Sequence, residues 1–565
     1  MTAAAATGYL LIRMSNSSLE SPSSPPAILP IGAPSRDSNN WPFAVVAGLL
    51  LLLYAAGLTR DLTRPWTGLH DWNGALFSQL ARNFNRYPAT IHHGLPLVAA
   101  GATVPEPVDR SLYVRHPPGI VWLVAGAFRL GGEAEWVARL VPILASLVSW
   151  VLLVRRMRRR RGDRAALLAG VLYALMPMSV YFGRMVNHEP ICLMFMLLAL
   201  EGWGGMTGSG ASRPRRGSVA IWLTALAAAI WIDWPGAVFA ALFCLYALAQ
   251  RARGRIGIAP VAAACVLCMA SLGGLLGYIV YGAFEGRWSD LWAVYAARRG
   301  APPRPLGELL IWKHVVDNAT WAMLILAAVG VLIEMSGALR HRARDNTRRV
   351  PGVPSGGSAM GVLTLTGLVW VIAFPRQFEI HPYWMFYLGP WLAAEGGFTL
   401  AAVDSLLQQH RPRAAIGLIG ALIAATAAFC FVGQDYYFCR LPPRADTARL
   451  NDLIDLCSTL KRETSPADAI LLYRDPWRGE RHGDYDARYM IPPQLMYYLD
   501  RRVAVETQPS LAIQWRDRCT TYVISLDDLA SAPDRDAARA ALAELPVRQV
   551  GPYVVFDLRR KGKTD

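Results

Sequence analysis

Pro117–Gly132, PPGIVWLVAGAFRLGG, decides how this chain is threaded. Its apolar part runs for about fourteen residues, short of the roughly twenty that a helix needs to cross a bilayer. It therefore reads as an interfacial or re-entrant helix, opened by Pro117 and Pro118 and closed by Gly131 and Gly132. Downstream lies Arg155–Arg164, RRMRRRRGDR. If 117–132 were a full span, that cluster would face outward, against the tendency of arginine-rich short loops to stay in the cytoplasm.

Working outward, apolar runs at 41–59, 134–154, 165–182, 190–204, 218–233, 235–250, 259–281, 318–338, 359–374, 383–402 and 415–433 predict eleven spans. With the N-terminus inside, the basic clusters Arg155–Arg164, Arg213–Arg216, Arg251–Arg255, Arg340–Arg349 and Arg411–Arg413 all fall on the cytoplasmic side. The chain of 565 residues is 53% hydrophobic with a formal charge of +16, which in a soluble protein would suggest nucleic acid. Here the cytoplasmic loops account for the charge, so membrane lipids are expected as partners and nucleic acid is not. The expected fold class is a polytopic α-helical membrane protein of about eleven spans with a small C-terminal α/β domain outside the cytoplasm.

Three regions follow. Residues 1–40, rich in Ser and Pro, predict a disordered cytoplasmic tail. Residues 41–435 form the transmembrane module, with a long outer loop at 60–133. In 436–565 a helical pattern at Ala445–Lys461 precedes apolar strands at Ala469–Tyr473, Val503–Val505, Thr521–Leu526 and Tyr553–Leu558. Helical stretches at Pro492–Leu499 and Asp534–Leu545 lie between them, which suggests a partly parallel sheet. This region has no glycine-rich phosphate loop, and no chemistry is assigned to it.

The outer loop opens with Gly68–Arg86, GLHDWNGALFSQLARNFNR. Trp72, Leu76, Leu80 and Phe84 recur every four residues, with Ala75 and Phe77 beside them. The apolar face is expected to lie along a membrane surface and hold Asp71 at the water boundary. Asp is also a favoured N-cap, so on this stretch alone capping and chemistry are equal readings. Three further clusters share the predicted outer face. They are Tyr113–Pro118 (YVRHPP), Gly183–Pro190 (GRMVNHEP) and Arg376–Trp384 (RQFEIHPYW). Snorkelling or capping explains any one of them. Ionisable groups beside the bilayer are costly unless used or paired, and four clusters on one face point to a site.

The order and sidedness of these motifs resemble the GT-C superfold of polyprenyl-phosphate-sugar-dependent glycosyltransferases. The nearest kin by motif are the dolichyl-phosphate-mannose–protein mannosyltransferases and the bacterial aminoarabinose transferases that modify lipid A. The resemblance covers roughly residues 41–435. It rests on the acid in His70-Asp71-Trp72, on His116-Pro117-Pro118, on the Gly183–Glu189 turn and on His381-Pro382-Tyr383-Trp384. What it implies is a transferase with Asp71 as general base, acting with inversion on the outer face. Asn187 stands where many relatives carry Asp, which leaves Glu189, with His188 beside it, as the further catalytic candidates. Expected substrate-binding residues are His70, Arg115, His116, Arg184, Asn187, Arg298, Arg299, Arg376, His381 and Tyr383, with Lys313 as one more outer cation. Arginines suit the departing phosphate because the guanidinium binds it in a forked geometry.

The implied partners are a polyprenyl-phosphate sugar donor and a lipid, glycan or protein acceptor. A bacterial inner membrane is the implied location, with site and C-terminal domain periplasmic. No cofactor is expected, because the leaving group is built into the donor. No metal is expected either, since His70-Asp71 and His188-Glu189 are adjacent pairs that diverge on a helix and no ligand spacing is present. Cys439, Cys457 and Cys519, with Cys430 near the boundary, allow one disulfide. The rival reading is a polytopic transporter. Against it, mid-span ionisable residues are nearly absent, Glu201 and Asp233 both lie near span ends, and no two-half repeat is evident.

Overall fold

The computed structural model describes residues 41–104, 112–207, 216–282, 307–344, 359–408, 411–440, 444–473 and 493–559, together with Trp292, Tyr295 and Ala296. The predicted tail and the Arg298-Arg299 pair lie outside these residues.

Among the described residues seven helices are long and apolar enough to cross a membrane. They include α1 (Trp41–Thr59), α4 (Glu135–Leu175), α5 (His188–Thr207) and α7 (Trp234–Ala252). Shorter apolar helices join them: α3 (Gly119–Gly131), α6 (Arg216–Ile232) and Met360–Ala373. The predicted span 134–154 and the first part of 165–182 merge into α4, whose run breaks at Gly162 with φ 82°; the rest of the second span is a separate short helix, Pro177–Tyr181. That backbone conformation costs little only for glycine, so the arginine-rich stretch turns a corner there. The cluster also ties helix ends together. Arg155 and Arg159 pair with Glu201, Arg161 with Glu334 and Glu395, and Arg164 with Asp404. Helix α4 is the hub of the bundle, packed on α1, α5 and the helix Gly389–Gln408.

The short helix that decided the threading is present as α3, thirteen residues long, closed at Gly132 with φ 83°. Helix α2 (Asp71–Arg86) matches its predicted length but not its predicted setting. Every residue from Asn73 to Asn83 is buried, and the helix packs on α3 and on the helix Pro493–Leu499 instead of lying on a membrane surface. Its polar side chains explain why. Gln79 and Asn83 donate to the carbonyls of Leu97 and Ala99 (2.8–2.9 Å), and the Arg82 Nη1 donates to the Tyr497 carbonyl (2.8 Å). The four-residue apolar period is real, but the opposite face finds protein partners and is buried too.

The C-terminal region carries a five-stranded mixed sheet, β1 (Ala469–Tyr473), β2 (Arg502–Glu506), β3 (Thr521–Ser525), β4 (Val547–Val550) and β5 (Tyr553–Asp557). Its order is β2-β1-β3-β5-β4, with β1 parallel to β2 and β3 and the remaining pairs antiparallel. The sequence reading missed β4, whose exposed Val547, Arg548 and Gln549 give no apolar run. All eight cysteines are free thiols, so the disulfide allowed by the sequence is not formed. Cys457 and Cys519 sit in separate apolar clusters.

The sheet region is locked to α2 by a forked ion pair. Arg86 donates from Nη1 to Asp500 Oδ1 (2.9 Å) and from Nη2 to Oδ2 (2.6 Å). Burial raises the Asp500 carboxyl, but the Arg86 hydrogen bonds and the Arg82 charge outweigh it and hold it down at about 2. Its stabilisation is therefore complete above the unfolded carboxyl value of roughly 3.9 and is lost as the pH falls towards about 2. Replacing Asp500 by Asn is expected to cost about 1–3 kcal/mol at neutral pH, read as a lower melting temperature in detergent. The gap between parent and variant should narrow between pH 4 and pH 2.

Candidate active site

Asp71 is the first residue of α2, and His70 before it takes φ 58°. The helix does not use the Asp71 side chain as a cap, since the Asn73 amide donates to the His70 carbonyl (3.0 Å). The carboxylate instead closes the preceding turn: the Gly68 amide donates to Asp71 Oδ2 (2.7 Å), and the Asp71 amide donates to the Gly68 carbonyl (3.1 Å). Among the described residues the other Asp71 contact, Arg139 Nη2 at 3.5 Å, also uses Oδ2. Oδ1 has no hydrogen-bond partner among the described residues. A Cβ at 68 would lie 2.8 Å from Asp71 Oδ2 and 3.0 Å from the Tyr181 hydroxyl, so a larger residue there would have to move these side chains.

The carboxylate lines a small, open recess with Asp61, Arg64, Arg139, Tyr181, Arg184 and Phe438. Arg139, buried at the start of α4, donates to the carbonyls of Leu62 (2.8 Å) and Arg64 (2.5 Å) and stacks over Trp66. Arg184 comes from the Gly183–Glu189 turn, which Ser146 pins by donating to the Gly183 carbonyl (2.7 Å). Its Nη2 donates to the Asp61 carbonyl (2.8 Å), while Nη1 is buried with no partner among the described residues. Burial and the neighbouring Arg139 push the Arg184 guanidinium down to about 10, which leaves it charged at neutral pH.

A second group gathers the rest of that turn with His116 and Asp233. His116 Nδ1 lies 3.2 Å from Asp233 Oδ1, and the His116 and His188 rings stack at 4.6 Å. Asn187 Oδ1 meets His188 Nδ1 at 3.0 Å, and Glu189 is buried beside them. Possible ligand atoms of His116, His188 and Asp233 all lie within 4.8 Å of one another. The sequence argument against a metal tested only neighbours in the chain, and these three come from separate segments.

A third group is aromatic. His70 packs edge-on against Tyr383 (5.1 Å), whose hydroxyl meets His381 Nδ1 at 2.8 Å. Burial, then the charge of His314, pushes His70 down to about 3, so it is neutral and supplies no cation to a phosphate.

Of the remaining expected residues, Arg115 enters through its backbone, whose carbonyl accepts from Trp234 Nε1 (2.9 Å). Lys313 is engaged by Asp317 (2.5 Å) and Tyr436 (2.7 Å). Arg376 lies in the helix Pro375–Ile380, its side chain outside the described residues, as are Arg298 and Arg299 altogether. The sequence reading missed Arg139 and Arg64, and it discounted Asp233. Arg139 had a signal, as a lone arginine in the first turns of an apolar span.

The helical bundle with a small mixed C-terminal sheet has a GT-C-type fold. A family model described as dolichyl-phosphate-mannose-protein mannosyltransferase matches residues 115–273. The fold is similar to that of ArnT from Cupriavidus metallidurans bound to undecaprenyl phosphate, with a TM-score of 0.58 at 16% identity over 92% of this chain and 98% of that one. It is also similar to the oligosaccharyltransferase of Archaeoglobus fulgidus in the apo form, with a TM-score of 0.51 at 13% identity over 90% of this chain and 73% of that one. No curated protein matches the chain in a sequence comparison. The resemblance therefore holds, as do the helical membrane fold with a small C-terminal sheet and the glycosyltransferase reading. The family model spans the His116-Pro117-Pro118 and Gly183–Glu189 motifs, and seven helices, not eleven, are long and apolar enough to span among the described residues.

Gly68→Ala is expected to lower the melting temperature by the equivalent of about 1–3 kcal/mol, because the Asp71 carboxylate must move. Gly48→Ala, where a Cβ meets nothing within 4 Å, should leave it unchanged. Equal melting of both variants would mean that the 68–71 turn is not held as described.

Proposed function

We propose that this protein moves a sugar from a polyprenyl-phosphate carrier to an acceptor on the outer face of a bacterial inner membrane, with Asp71 as general base. One observation carries the reading: a carboxylate with one open oxygen shares a recess with Arg64, Arg139 and Arg184. Arg184 Nη1 there is buried and unpartnered, which fits a donor for phosphate oxygens. The undecaprenyl phosphate named with ArnT and the dolichol phosphate named with the archaeal relative support a lipid-phosphate donor.

The chemistry follows from the charges. As the acceptor hydroxyl or amine attacks the anomeric carbon it loses a proton, which Asp71 Oδ1 takes. The bond to the lipid phosphate breaks on the opposite side, so a single displacement inverts the anomeric centre. Arg184 and Arg139 offset the charge that grows on the leaving phosphate. His70, Tyr383 and Phe182 form an aromatic wall beside the turn that presents Asp71. The proposed division is a transmembrane module at 41–435 and a soluble domain at 436–565, which the Arg86–Asp500 pair joins to α2.

The test uses purified protein and Asp71→Asn, each given radiolabelled undecaprenyl-phosphate sugars and a membrane extract as acceptor pool. Transfer should fall by about 10²–10⁴-fold in the variant while its melting temperature is kept. Arg184→Ala should lose roughly 10²-fold, chiefly in kcat, because the charge it meets develops in the transition state. Equal transfer by parent and Asp71→Asn would remove Asp71 from the base role.

A further inference from the structure

We propose that His116, His188 and Asp233, with Glu189, bind one divalent transition-metal ion of the zinc class at a site that shares no residue with the Asp71 recess. The site is assembled from three places. His116 stands just before α3, His188 and Glu189 begin α5, and Asp233 joins α6 to α7. The possible ligand atoms of His116, His188 and Asp233 lie within 4.8 Å of one another, and Glu189 follows His188 in the chain. Ligands bonded to zinc at about 2.0–2.2 Å in a tetrahedron stand roughly 3.4 Å apart, so side-chain rotation of about an ångström closes the site.

The orientation of His188 is the strongest sign. Its Nδ1 meets Asn187 Oδ1 at 3.0 Å, which places the ring N–H on that side and the lone pair on Nε2. Nε2 is buried with no partner among the described residues. A metal-ligating histidine is held in this way, with its second nitrogen donating to an oxygen behind it. Asn187 thereby acquires a role in this chain: an amide oxygen that fixes the His188 tautomer. Glu189 Oε2 is likewise buried and without a partner, and Glu189 lies within electrostatic reach of Asp233. The Asp233 carboxylate is itself oriented by the Trp234 amide (2.9 Å, Oδ1) and the Tyr387 hydroxyl (3.3 Å, Oδ2).

Charge points the same way. Two buried carboxylates side by side are costly to ionise in a low-dielectric interior. One divalent cation neutralises both, and two neutral imidazoles complete its shell. That nitrogen-plus-carboxylate set suits zinc, cobalt, iron or manganese, whereas magnesium and calcium favour all-oxygen shells. The ion would clamp the start of α3, the start of α5 and the α6–α7 junction, acting on position and stability.

Untagged full-length protein in detergent, stripped with a chelator, would be titrated with Co²⁺ and followed by visible absorption and melting temperature. The expected result is one Co²⁺ per chain, displaced by Zn²⁺, with a higher melting temperature in the loaded form. His116→Gln and His188→Gln should weaken binding at least tenfold, and Asn187→Ala, which removes only the group behind His188, by about tenfold. Asp71→Asn should bind Co²⁺ as the parent does. Absence of Co²⁺ binding by the folded parent would overturn the proposal, as would parent-like affinity in both histidine variants. Parent-like affinity in Asn187→Ala remains a decisive negative for the His188 tautomer even if the histidine variants fail to fold.

Discussion

A single buried guanidinium holds the Asp71 end of the helical bundle together. Arg139 stands near the start of the longest helix, and burying its charge is tolerable only because nearby groups meet it. It donates to the Leu62 and Arg64 carbonyls, reaches Asp71 and covers the Trp66 ring. Those contacts fold the first outer loop back onto the bundle. They also place positive charge beside the carboxylate proposed as base. The same residue that makes the loop fold is thus part of the electrostatics of the recess.

Polar pairing across the chain then connects this end to the C-terminal sheet. Arg82 and Arg86 leave α2 on the side away from its apolar stripe and meet Tyr497, Glu133 and Asp500. Tyr498 donates to Glu135 at the head of α4 and accepts from the Trp66 amide. A displacement of the sheet region would therefore be felt within one turn of Asp71 and Arg139. At the opposite end of the bundle the Arg155–Arg164 cluster pairs with acids from three helices. The basic run marks sidedness in the sequence and acts as a clamp in the structure.

Two groupings at this end of the bundle differ in what they offer. The Asp71 recess sets Asp71 and Asp61 among three guanidiniums, the pairing on which the proposed transfer rests. The His116, His188, Asp233 and Glu189 group offers imidazoles and carboxylates, a pairing suited to a soft or borderline cation. The Gly183–Glu189 turn feeds both, because Arg184 and His188 leave it on different sides.

How much of this was legible in the sequence follows from the range of each interaction. Hydropathy and arginine placement are local signals, and they gave the helices, the short α3 and the strands β1, β2, β3 and β5. The motif residues His70, Asp71, His116, Arg184 and His188 were found because they sit at helix ends, where an ionisable group is conspicuous against apolar neighbours. The burial of α2, the absent disulfide, the Arg86–Asp500 fork and the grouping of Asp233 with two histidines were not legible. Each depends on which distant segment arrives opposite, over separations such as the 117 residues from His116 to Asp233. Sequence by itself determined which segments are apolar and where their charged ends lie; only the tertiary structure decided which of those charges meet, because pairing is set by packing of the helices and not by spacing along the chain.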